Sequence, residues 1–531
     1  MAAAVKVLIA DTLSEDGVKL LRGEPGLSVD VKTGLSPKEL AAIIEPYEGL
    51  VVRSATKVTA EVIARATHLK VIGRAGVGLD NVDAEAATKR GIIVMNVPAG
   101  NTISTAEHTL SMIMACARRI PQADASLRAG QWERSKFVGT ELFGKTLGIV
   151  GLGKIGTEVA KRAQAFGMHT IAYDPFISTE RAQQLDIQLT DLPSLYKAAD
   201  FLTVHVPLTD ETRHMIGAKE IALMKPGVRL INCARGGIIE EQALADAVKS
   251  GHVAGAAVDV FEEEPPPKDH PLLRLPQVVV VPHLGASTEE AQLNVAIEVA
   301  KQVADALLGR GIRNAVNMPS VDAQTLKVLQ PYIILGERLG SLAAQLSGGQ
   351  IAEVRVTYVG EVTTHDTSAV TLAVLKGILT PMVGENVNYV NASVIAAERG
   401  VTVVEAKASR MDEFANLLAL DVQSNGSTLT LQGTLSARRE PRIVKIDRYF
   451  VEASPEGYML IIKNQDKPGL IGRLGTLLGE SNINIAGMSN GRDRPGGTAI
   501  TVVNIDNHVP PAVLGKVKSL QHVLDAKLIK L

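Results

Sequence analysis

Three polar residues, Arg235, Glu264 and His283, stand just beyond apolar runs that have the composition of buried β-strands. The neighbours of Arg235 over 232–237 are small, so its fork-shaped guanidinium has room to bind a carboxylate through two hydrogen bonds. An imidazole such as that of His283 can take a hydroxyl proton and return it near neutral pH. A carboxylate at Glu264, bonded to that imidazole, would fix its tautomer and favour its protonated form. The set predicts acid–base chemistry on a small hydroxy acid, with no metal required.

Each of these residues also has an ordinary structural interpretation. A single histidine after a strand is more often a satisfied structural residue, a run of glutamates is more often a solvated loop, and an arginine beside glycines can cap a turn. Their joint placement at the strand ends of one sheet favours the catalytic interpretation. The pattern alone does not separate Glu264 from Glu262 and Glu263.

A glycine-rich turn, Gly151-Leu152-Gly153-Lys154-Ile155-Gly156, joins a predicted strand to a predicted helix. Gly151 permits the tight turn, Gly153 lets the backbone approach a pyrophosphate, and Gly156 allows close packing of helix on strand. The helix N-terminus offers amide donors to the phosphates. Asp174 ends the next strand, where a carboxylate binds ribose hydroxyls and repels a 2′-phosphate, so the pattern predicts NAD rather than NADP. The alternative, a glycine turn in an ordinary α/β protein, is disfavoured by the strand, helix and acid together.

The elements that must position these residues follow a βα rhythm. Short β-branched runs over 5–9, 49–52, 71–72 and 92–95 alternate with helix-like stretches, and six more strands follow between 147 and 281. This rhythm predicts two Rossmann-like, doubly wound parallel-sheet domains of the α/β class, which bind ligands beyond the carboxyl ends of their strands. A predicted helix over 287–308 returns the chain to the first domain.

Composition narrows the function classes. A chain of 531 residues is expected to form three or four domains. Its net charge of −2 lacks the basic excess typical of nucleic-acid or membrane-surface proteins, which favours a small-molecule partner. Two cysteines, Cys116 and Cys233, give neither a disulfide framework nor a thiolate metal cluster. With no signal-peptide pattern and no apolar run long enough to span a membrane, we expect a cytoplasmic protein.

The last third of the chain has a different pattern of predicted helices and strands. A helix is predicted near 326–346 and mixed segments follow to 436, without recognisable chemistry. From 458 onward the strand and helix patterns follow the order βαββαβ, which predicts a ferredoxin-like module.

Five motifs together resemble the D-2-hydroxyacid dehydrogenase family. They occupy residues 73–83, 151–156, 232–237, 259–265 and 282–287. The resemblance extends over nearly the whole chain. Within the family, the chain most resembles the long-form branch that acts on 3-phosphoglycerate. It implies that Arg235, Glu264 and His283 form the catalytic set.

The turn and the resemblance together indicate which residues bind NAD and substrate. The expected NAD contacts are Gly151, Gly153, Lys154, Ile155, Gly156, Asp174, Cys233, Ala234, Asp259, Gly285 and Ala286. A phosphorylated hydroxy acid carries extra negative charge, so Arg53 and Arg74, at strand ends of the first domain, are expected to face the cleft. The family implies that the loop around Trp132, with Arg134 and Lys136, reaches a neighbouring subunit's cleft; the alternative is a solvated turn.

The C-terminal module resembles an ACT domain, which pairs across subunits and binds amino acids. Asn464, Asp466 and Asn484 suit the ammonium and carboxylate groups of a free amino acid, and L-serine is the candidate effector. The alternative is ordinary turn chemistry, since such residues form turns readily.

We therefore expect four domains. They are a discontinuous substrate-binding domain (1–98 and 287–316), an NAD-binding domain (99–286), an α+β intervening domain of the allosteric substrate-binding type (317–452) and an ACT domain (457–531). The resemblance implies NAD-dependent oxidation of 3-phosphoglycerate to 3-phosphohydroxypyruvate, the first step of phosphorylated serine biosynthesis, in a homodimer or homotetramer. The alternatives are another dehydrogenase of the family, acting on glyoxylate, hydroxypyruvate or lactate, and a non-catalytic NAD-sensing regulator.

Overall fold

The structure is a computed structural model that describes residues 4–384, 386–408 and 414–531. These residues form sheets of five, seven, six and four strands. The first two sheets are parallel and the last is antiparallel, so the fold class expected from the sequence is confirmed. No helix among these residues is both long and apolar enough to cross a membrane.

The first sheet is built from the N-terminal residues. Its strands are β1 (Val5–Ile9), β2 (Leu27–Val31), β3 (Gly49–Val52), β4 (Val71–Arg74) and β5 (Ile93–Met95), and its helices are α1 (Glu15–Gly23), α2 (Pro37–Ile43), α3 (Ala60–Arg65) and α4 (Ala84–Lys89). The strand order is β2-β1-β3-β4-β5. Sequence analysis missed β2, because this edge strand is largely exposed and carries a weak apolar signal.

The second sheet carries the glycine turn. Its strands are β6 (Thr146–Val150), β7 (His169–Tyr173), β8 (Gln188–Leu189), β9 (Phe201–Val204), β10 (Val228–Asn232), β11 (Val253–Val258) and β12 (Val278–Val280). Its helices are α5 (Thr102–Arg118), α6 (Ile120–Arg128), α7 (Lys154–Ala165), α8 (Thr179–Gln184), α9 (Leu192–Ala198), α10 (Ala218–Leu223) and α11 (Glu241–Ser250). The order β12-β11-β10-β9-β6-β7-β8 adds the two-residue β8 to the six strands expected. The strand order reverses between β6 and β9, which opens a ligand crevice beyond their carboxyl ends.

Helix α12 (Glu289–Leu307) returns from the second sheet to the first, as expected from the sequence. The Thr288 side chain caps its N-terminus by accepting the amide hydrogen of Ala291. Val299 and Val303 are fully buried against the first sheet. A Cβ at Gly73 would lie 2.4 Å from the Val303 side chain, so this close packing requires glycine.

The third sheet is mixed. Its strands are β13 (Ile351–Val359), β14 (Thr402–Ala408), β15 (Leu417–Ser424), β16 (Ser427–Leu435), β17 (Pro441–Ile446) and β18 (Tyr449–Ala453), in the order β14-β13-β15-β16-β17-β18. Its helices are α13 (Ala323–Ser347), α14 (Ser368–Val383) and α15 (Ala392–Glu398). Helices α13 and α14 pack closely at Gly340 and Gly377, where a Cβ would lie 2.2 and 2.0 Å from backbone oxygens of the other helix.

The fourth sheet has the predicted βαββαβ order. Its elements are β19 (Tyr458–Gln465), α16 (Leu470–Glu480), β20 (Ile485–Arg492), β21 (Thr498–Ile505), α17 (Pro511–Lys518) and β22 (Val523–Lys530). Side chains alternate along β19. Leu460 and Ile462 are buried with α16, whereas Met459 and Ile461 are buried in the same cluster as Leu342 of α13. The third and fourth sheets therefore share one hydrophobic core.

Candidate active site

A cleft of about 810 Å³ lies between the first and second sheets. Loops after β3 and β4 form one wall, and loops after β9, β10, β11 and β12 form the other. Because all these strands are parallel within their sheets, their carboxyl ends meet at this cleft. Arg235, Glu264 and His283 all line it.

His283 and Glu264 form a direct pair, with Nδ1 of the imidazole 2.8 Å from Oε2 of the carboxylate. Burial raises the pKa of Glu264, but the hydrogen bond and charge of His283 and the amide of Phe261 outweigh it, so that pKa lies below its ordinary value. Glu262 lies instead against a different imidazole, that of His214, at 2.9 Å. The loop geometry thus pairs Glu264 rather than Glu262 with His283, and among the described residues Nε2 of His283 has no hydrogen-bond partner.

Three guanidinium groups, those of Arg53, Arg74 and Arg235, line the cleft. Asp11 shapes the Arg53 loop by accepting the Arg53 backbone N–H at 2.9 Å. Burial and the positive charge of Arg235 lower the pKa of Arg74 to about 10, and its buried Nε has no hydrogen-bond partner among the described residues. Arg235 Nε lies 3.2 Å from Asp80 Oδ2. This wall suits a ligand that carries more than one negative charge.

The glycine turn has the backbone that its sequence predicts. Gly151 adopts φ +94°, a conformation that favours glycine. A Cβ at Gly156 would lie 2.1 Å from the Gly151 carbonyl oxygen, whereas Gly153 at the N-terminus of α7 faces open space. Asp174 follows β7 and accepts the backbone N–H of Leu152 within the turn, at 2.7 Å. The turn, the helix N-terminus and the acid therefore fit a dinucleotide.

The other predicted cofactor residues divide into two groups. Those that line the cleft are Ile155, Cys233, Ala234, Asp259, Gly285 and Ala286. Lys154 is exposed in the first turn of α7, outside the lining.

His205 also lines the cleft, directly after β9, and sequence analysis did not select it. Burial lowers its pKa to about 4, so the imidazole is neutral at physiological pH. Its buried Nδ1 and the buried Oδ1 of Asn101, at the N-terminus of α5, have no hydrogen-bond partners among the described residues. Both atoms could therefore form hydrogen bonds with a ligand bound in the cleft. The available signal was the position of His205 at a strand end, the criterion that selected Arg235 and His283.

Asp259 is a buried residue at the cleft wall that binds several neighbours. Its carboxylate accepts the backbone N–H groups of Leu284 at 2.6 Å and Gly285 at 3.0 Å. Burial raises the pKa of Asp259, but His108 and these amides outweigh it and hold that pKa below its ordinary value. Ligand atoms of His108, Cys233 and Asp259 lie within 4.8 Å of one another, so this group could hold a metal ion. Because both carboxylate oxygens already accept amide hydrogens, we interpret it as a hydrogen-bonded network.

Arg134 and Lys136 do not line the cleft of their own chain. Both are exposed in a short helical turn, Arg134–Phe137, and Lys136 forms an ion pair with Glu133 at 2.6 Å. Trp132 beside them is 77% exposed. Their placement in a neighbouring subunit's cleft stays a prediction.

The candidate effector residues already have partners within the chain. Asn464 is buried in β19, and its Oδ1 accepts the Thr501 hydroxyl at 3.1 Å. Asp466 accepts the backbone N–H of Gly496 at 2.9 Å, and Asn484 donates to a carboxylate at 2.7 Å. An amino-acid ligand would have to share or displace these bonds.

Family models match three segments of the chain. Residues 110–285 match the D-isomer specific 2-hydroxyacid dehydrogenase NAD binding domain. Residues 328–447 match the D-3-phosphoglycerate dehydrogenase intervening domain, and residues 458–522 match the ACT domain.

Two relatives that match over the full length are both named D-3-phosphoglycerate dehydrogenase. The protein from Archaeoglobus fulgidus is 48% identical, over 99% of this chain and 100% of the relative. The protein from Bacillus subtilis is 42% identical, over 99% of both chains.

Solved structures match more than half of the chain. The TT0316 protein of Thermus thermophilus is 38% identical, with a TM-score of 0.55, over 59% of this chain and all of that one. D-lactate dehydrogenase from Aquifex aeolicus, complexed with NAD and lactic acid, is 31% identical, with a TM-score of 0.52, over 57% of this chain and 96% of that one.

Proposed function

The chain belongs to the D-3-phosphoglycerate dehydrogenase family, and we propose that it catalyses the NAD-dependent oxidation of 3-phospho-D-glycerate to 3-phosphohydroxypyruvate, the first step of phosphorylated serine biosynthesis. The observation that carries the proposal is the His283–Glu264 pair at 2.8 Å, in a cleft that is also lined by three arginines and by Ile155 of the glycine turn. A non-catalytic NAD sensor would not need that pair.

Each side chain has a distinct role in the proposed reaction. Nε2 of His283 takes the hydroxyl proton, and Glu264 stabilises the resulting imidazolium. Arg235 binds the substrate carboxylate through two hydrogen bonds, for which it must share or leave Asp80. Arg53 and Arg74 bind the remaining negative charge of the phosphorylated substrate. The glycine turn and Asp174 would hold NAD, which when bound would accept the hydride.

The proposal is tested by following NADH formation with 3-phosphoglycerate and with D-lactate, and NADH consumption with glyoxylate and hydroxypyruvate. We expect 3-phosphoglycerate to have the highest kcat/KM. Arg53→Gln should raise KM for the phosphorylated substrate but not for glyoxylate, which carries no phosphate. A preference for an unphosphorylated substrate would assign the chain to another activity of the same fold.

We also propose that the chain works as a homodimer whose subunits meet at the segment 132–143. Three large apolar side chains of that segment are strongly exposed: Trp132 by 77%, Val138 by 74% and Phe143 by 78%. A surface of this kind is typical of a protein interface. Analytical sedimentation should give the mass of a dimer or a tetramer. The double substitution Phe143→Ser and Val138→Ser should weaken subunit association and shift the mass toward the monomer. The cytoplasmic location stays a prediction.

We propose L-serine as the effector of the ACT domain. Asp466→Asn keeps an acceptor for the Gly496 amide but removes the charge, which pairs with Arg492 at 3.3 Å and would have to bind an ammonium group instead. It should weaken serine inhibition without changing kcat in the absence of serine. Asp493→Asn, in the β20–β21 hairpin that contains Gly496, is the matched control. Equal inhibition of Asp466→Asn and the unmodified chain would exclude this site.

A further inference from the structure

Helix α5 contacts the loop that carries His283 at two points and Asp259 at a third. Ser104 Oγ and Thr105 Oγ1 donate to the Gly285 carbonyl oxygen at 2.8 and 3.1 Å. One turn further along the helix, His108 Nε2 lies 3.3 Å from Asp259 Oδ1, a close polar contact without hydrogen-bond geometry. The imidazole of His108 is 17% exposed, so this contact is largely shielded from water.

Asp259 holds the same loop from below. Besides the carboxylate bonds to the Leu284 and Gly285 amides, its carbonyl oxygen accepts the backbone N–H of His283 at 2.9 Å. His283 has φ +54°, a left-handed conformation that is unfavourable for a non-glycine residue by about 1–2 kcal/mol. The loop therefore depends on its hydrogen bonds to keep the imidazole against Glu264.

The carboxylate of Asp259 in turn depends on a partner. Its side chain is 1% exposed, and among the described residues His108 is the basic side chain that contacts it. A buried carboxylate that loses such a contact is disfavoured, and it rotates or recruits water. Either of these changes would disturb the two amide bonds that fix the loop.

We propose that His108 is a positioning residue for the oxidation: its ring nitrogen, 3.3 Å from Oδ1, keeps the Asp259 carboxylate on the Leu284 and Gly285 amides, and so holds His283 in place. The inference rests on the proposed function for its kinetic test. His108 does not line the cleft itself, so it acts through Asp259 rather than on substrate.

Three variants test the proposal kinetically. His108→Leu removes the donor at similar size, His108→Gln restores an N–H at a similar reach, and His169→Leu replaces an exposed histidine of the same domain as a control. We expect His108→Leu to lower kcat about 10- to 100-fold, the scale of a small misplacement of a reacting group. KM for 3-phosphoglycerate should change little, because the three arginines lie on other loops. His108→Gln should recover most of the lost kcat.

Backbone hydrogen exchange over 283–286 gives a readout that does not require activity. His108→Leu should lose protection there, whereas His108→Gln and His169→Leu should retain it. If the unmodified chain does not oxidise 3-phosphoglycerate, the proposed function fails, and the exchange measurement still decides the positioning role.

Unchanged protection and unchanged kcat in His108→Leu would overturn the inference, as would a rise in KM that matches the fall in kcat. If His108→Leu does not fold, His108→Asn replaces it, because its shorter amide cannot reach Asp259. We then expect His108→Gln to exceed His108→Asn in both kcat and protection. Equal values would again overturn the inference.

Discussion

Replacing Asp174 with asparagine should allow the enzyme to use NADP. The carboxylate stands at the end of β7, where Oδ2 accepts the Leu152 amide at 2.7 Å and Oδ1 accepts the Phe176 amide at 2.8 Å. These bonds fix a negative charge beside the glycine turn, where such sheets recognise the ribose 2′ position. Pro175 and Phe176 follow, so no adjacent arginine offsets that charge.

The size of the effect follows from Coulomb's law. A 2′-phosphate about 4 Å from this carboxylate would meet roughly 1 kcal/mol of repulsion for each unit of phosphate charge in a water-exposed setting. For nearly two charges the sum is about 2 kcal/mol, or roughly 30-fold in kcat/KM. Asp174→Asn removes the charge and keeps an acceptor for the Leu152 amide, but its NH2 group cannot replace the acceptor of the Phe176 amide. Asp174→Ala also removes that acceptor, so it should weaken both cofactors.

The assay is kcat/KM for NAD and for NADP at saturating 3-phosphoglycerate. The unmodified enzyme should strongly prefer NAD, and Asp174→Asn should reduce the NAD-to-NADP ratio roughly 30-fold. Asp186→Asn, an exposed acid in the same domain, should leave the ratio unchanged. Equal efficiency of the unmodified enzyme with both cofactors, or an unchanged ratio in Asp174→Asn, would refute the reasoning.

Four further predictions follow from the fold and the site. His283→Ala should lower kcat about 10²- to 10⁴-fold with little change in NADH affinity measured by fluorescence, and a near-normal kcat would remove it from the mechanism. Arg74→Gln should raise KM for 3-phosphoglycerate roughly 10- to 100-fold, since a charge-assisted hydrogen bond contributes about 1.5–3 kcal/mol; an unchanged KM would contradict this. A chain ending after Ser320 should fold as a dimer and oxidise 3-phosphoglycerate without serine inhibition, and an inactive soluble dimer that binds NAD would contradict the prediction. Burial raises the pKa of Asp200, but the Thr146 backbone amide and Lys225 outweigh burial and hold that pKa below its ordinary value. The ionised carboxylate therefore stabilises the fold above the ordinary aspartate pKa, and this stabilisation is lost as the pH falls through the folded-state pKa. In urea unfolding, Asp200→Asn should therefore show a flatter loss of stability in acid, and curves of equal steepness would oppose this.

The parts of the site that depend on local rules could be predicted from the sequence. Gly151 and Gly156 are required by a backbone turn a few residues long, and the turn has the expected form. Arg235 and His283 follow strands of one parallel sheet, so their convergence at its carboxyl edge follows from the strand pattern.

The parts that depend on distant contacts could not be predicted. Glu264 is distinguished from its two neighbours only by where the loop after β11 meets His283. His108 lies in the middle of a helix, and the carboxylate it contacts belongs to a strand end far along the chain. Asp80 pairs with Arg235 across the cleft between two sheets. Such contacts depend on how separate elements pack. The periodicity of apolar residues predicts the elements themselves but not which side chains of two elements meet.

The core shared by the third and fourth sheets determines which part of the chain could be transplanted to another enzyme. Met459, Ile461 and Val502 of the fourth sheet are buried with residues of α13, and full burial of such side chains contributes roughly 1.5–3 kcal/mol each. A graft that began at 458 would leave that face open to water on the donor module and on the acceptor alike. The transferable unit therefore begins before α13 and runs to the C-terminus. By the same reasoning, a ligand that tilts the fourth sheet must move α13 in the same direction, because the two elements pack as one rigid unit.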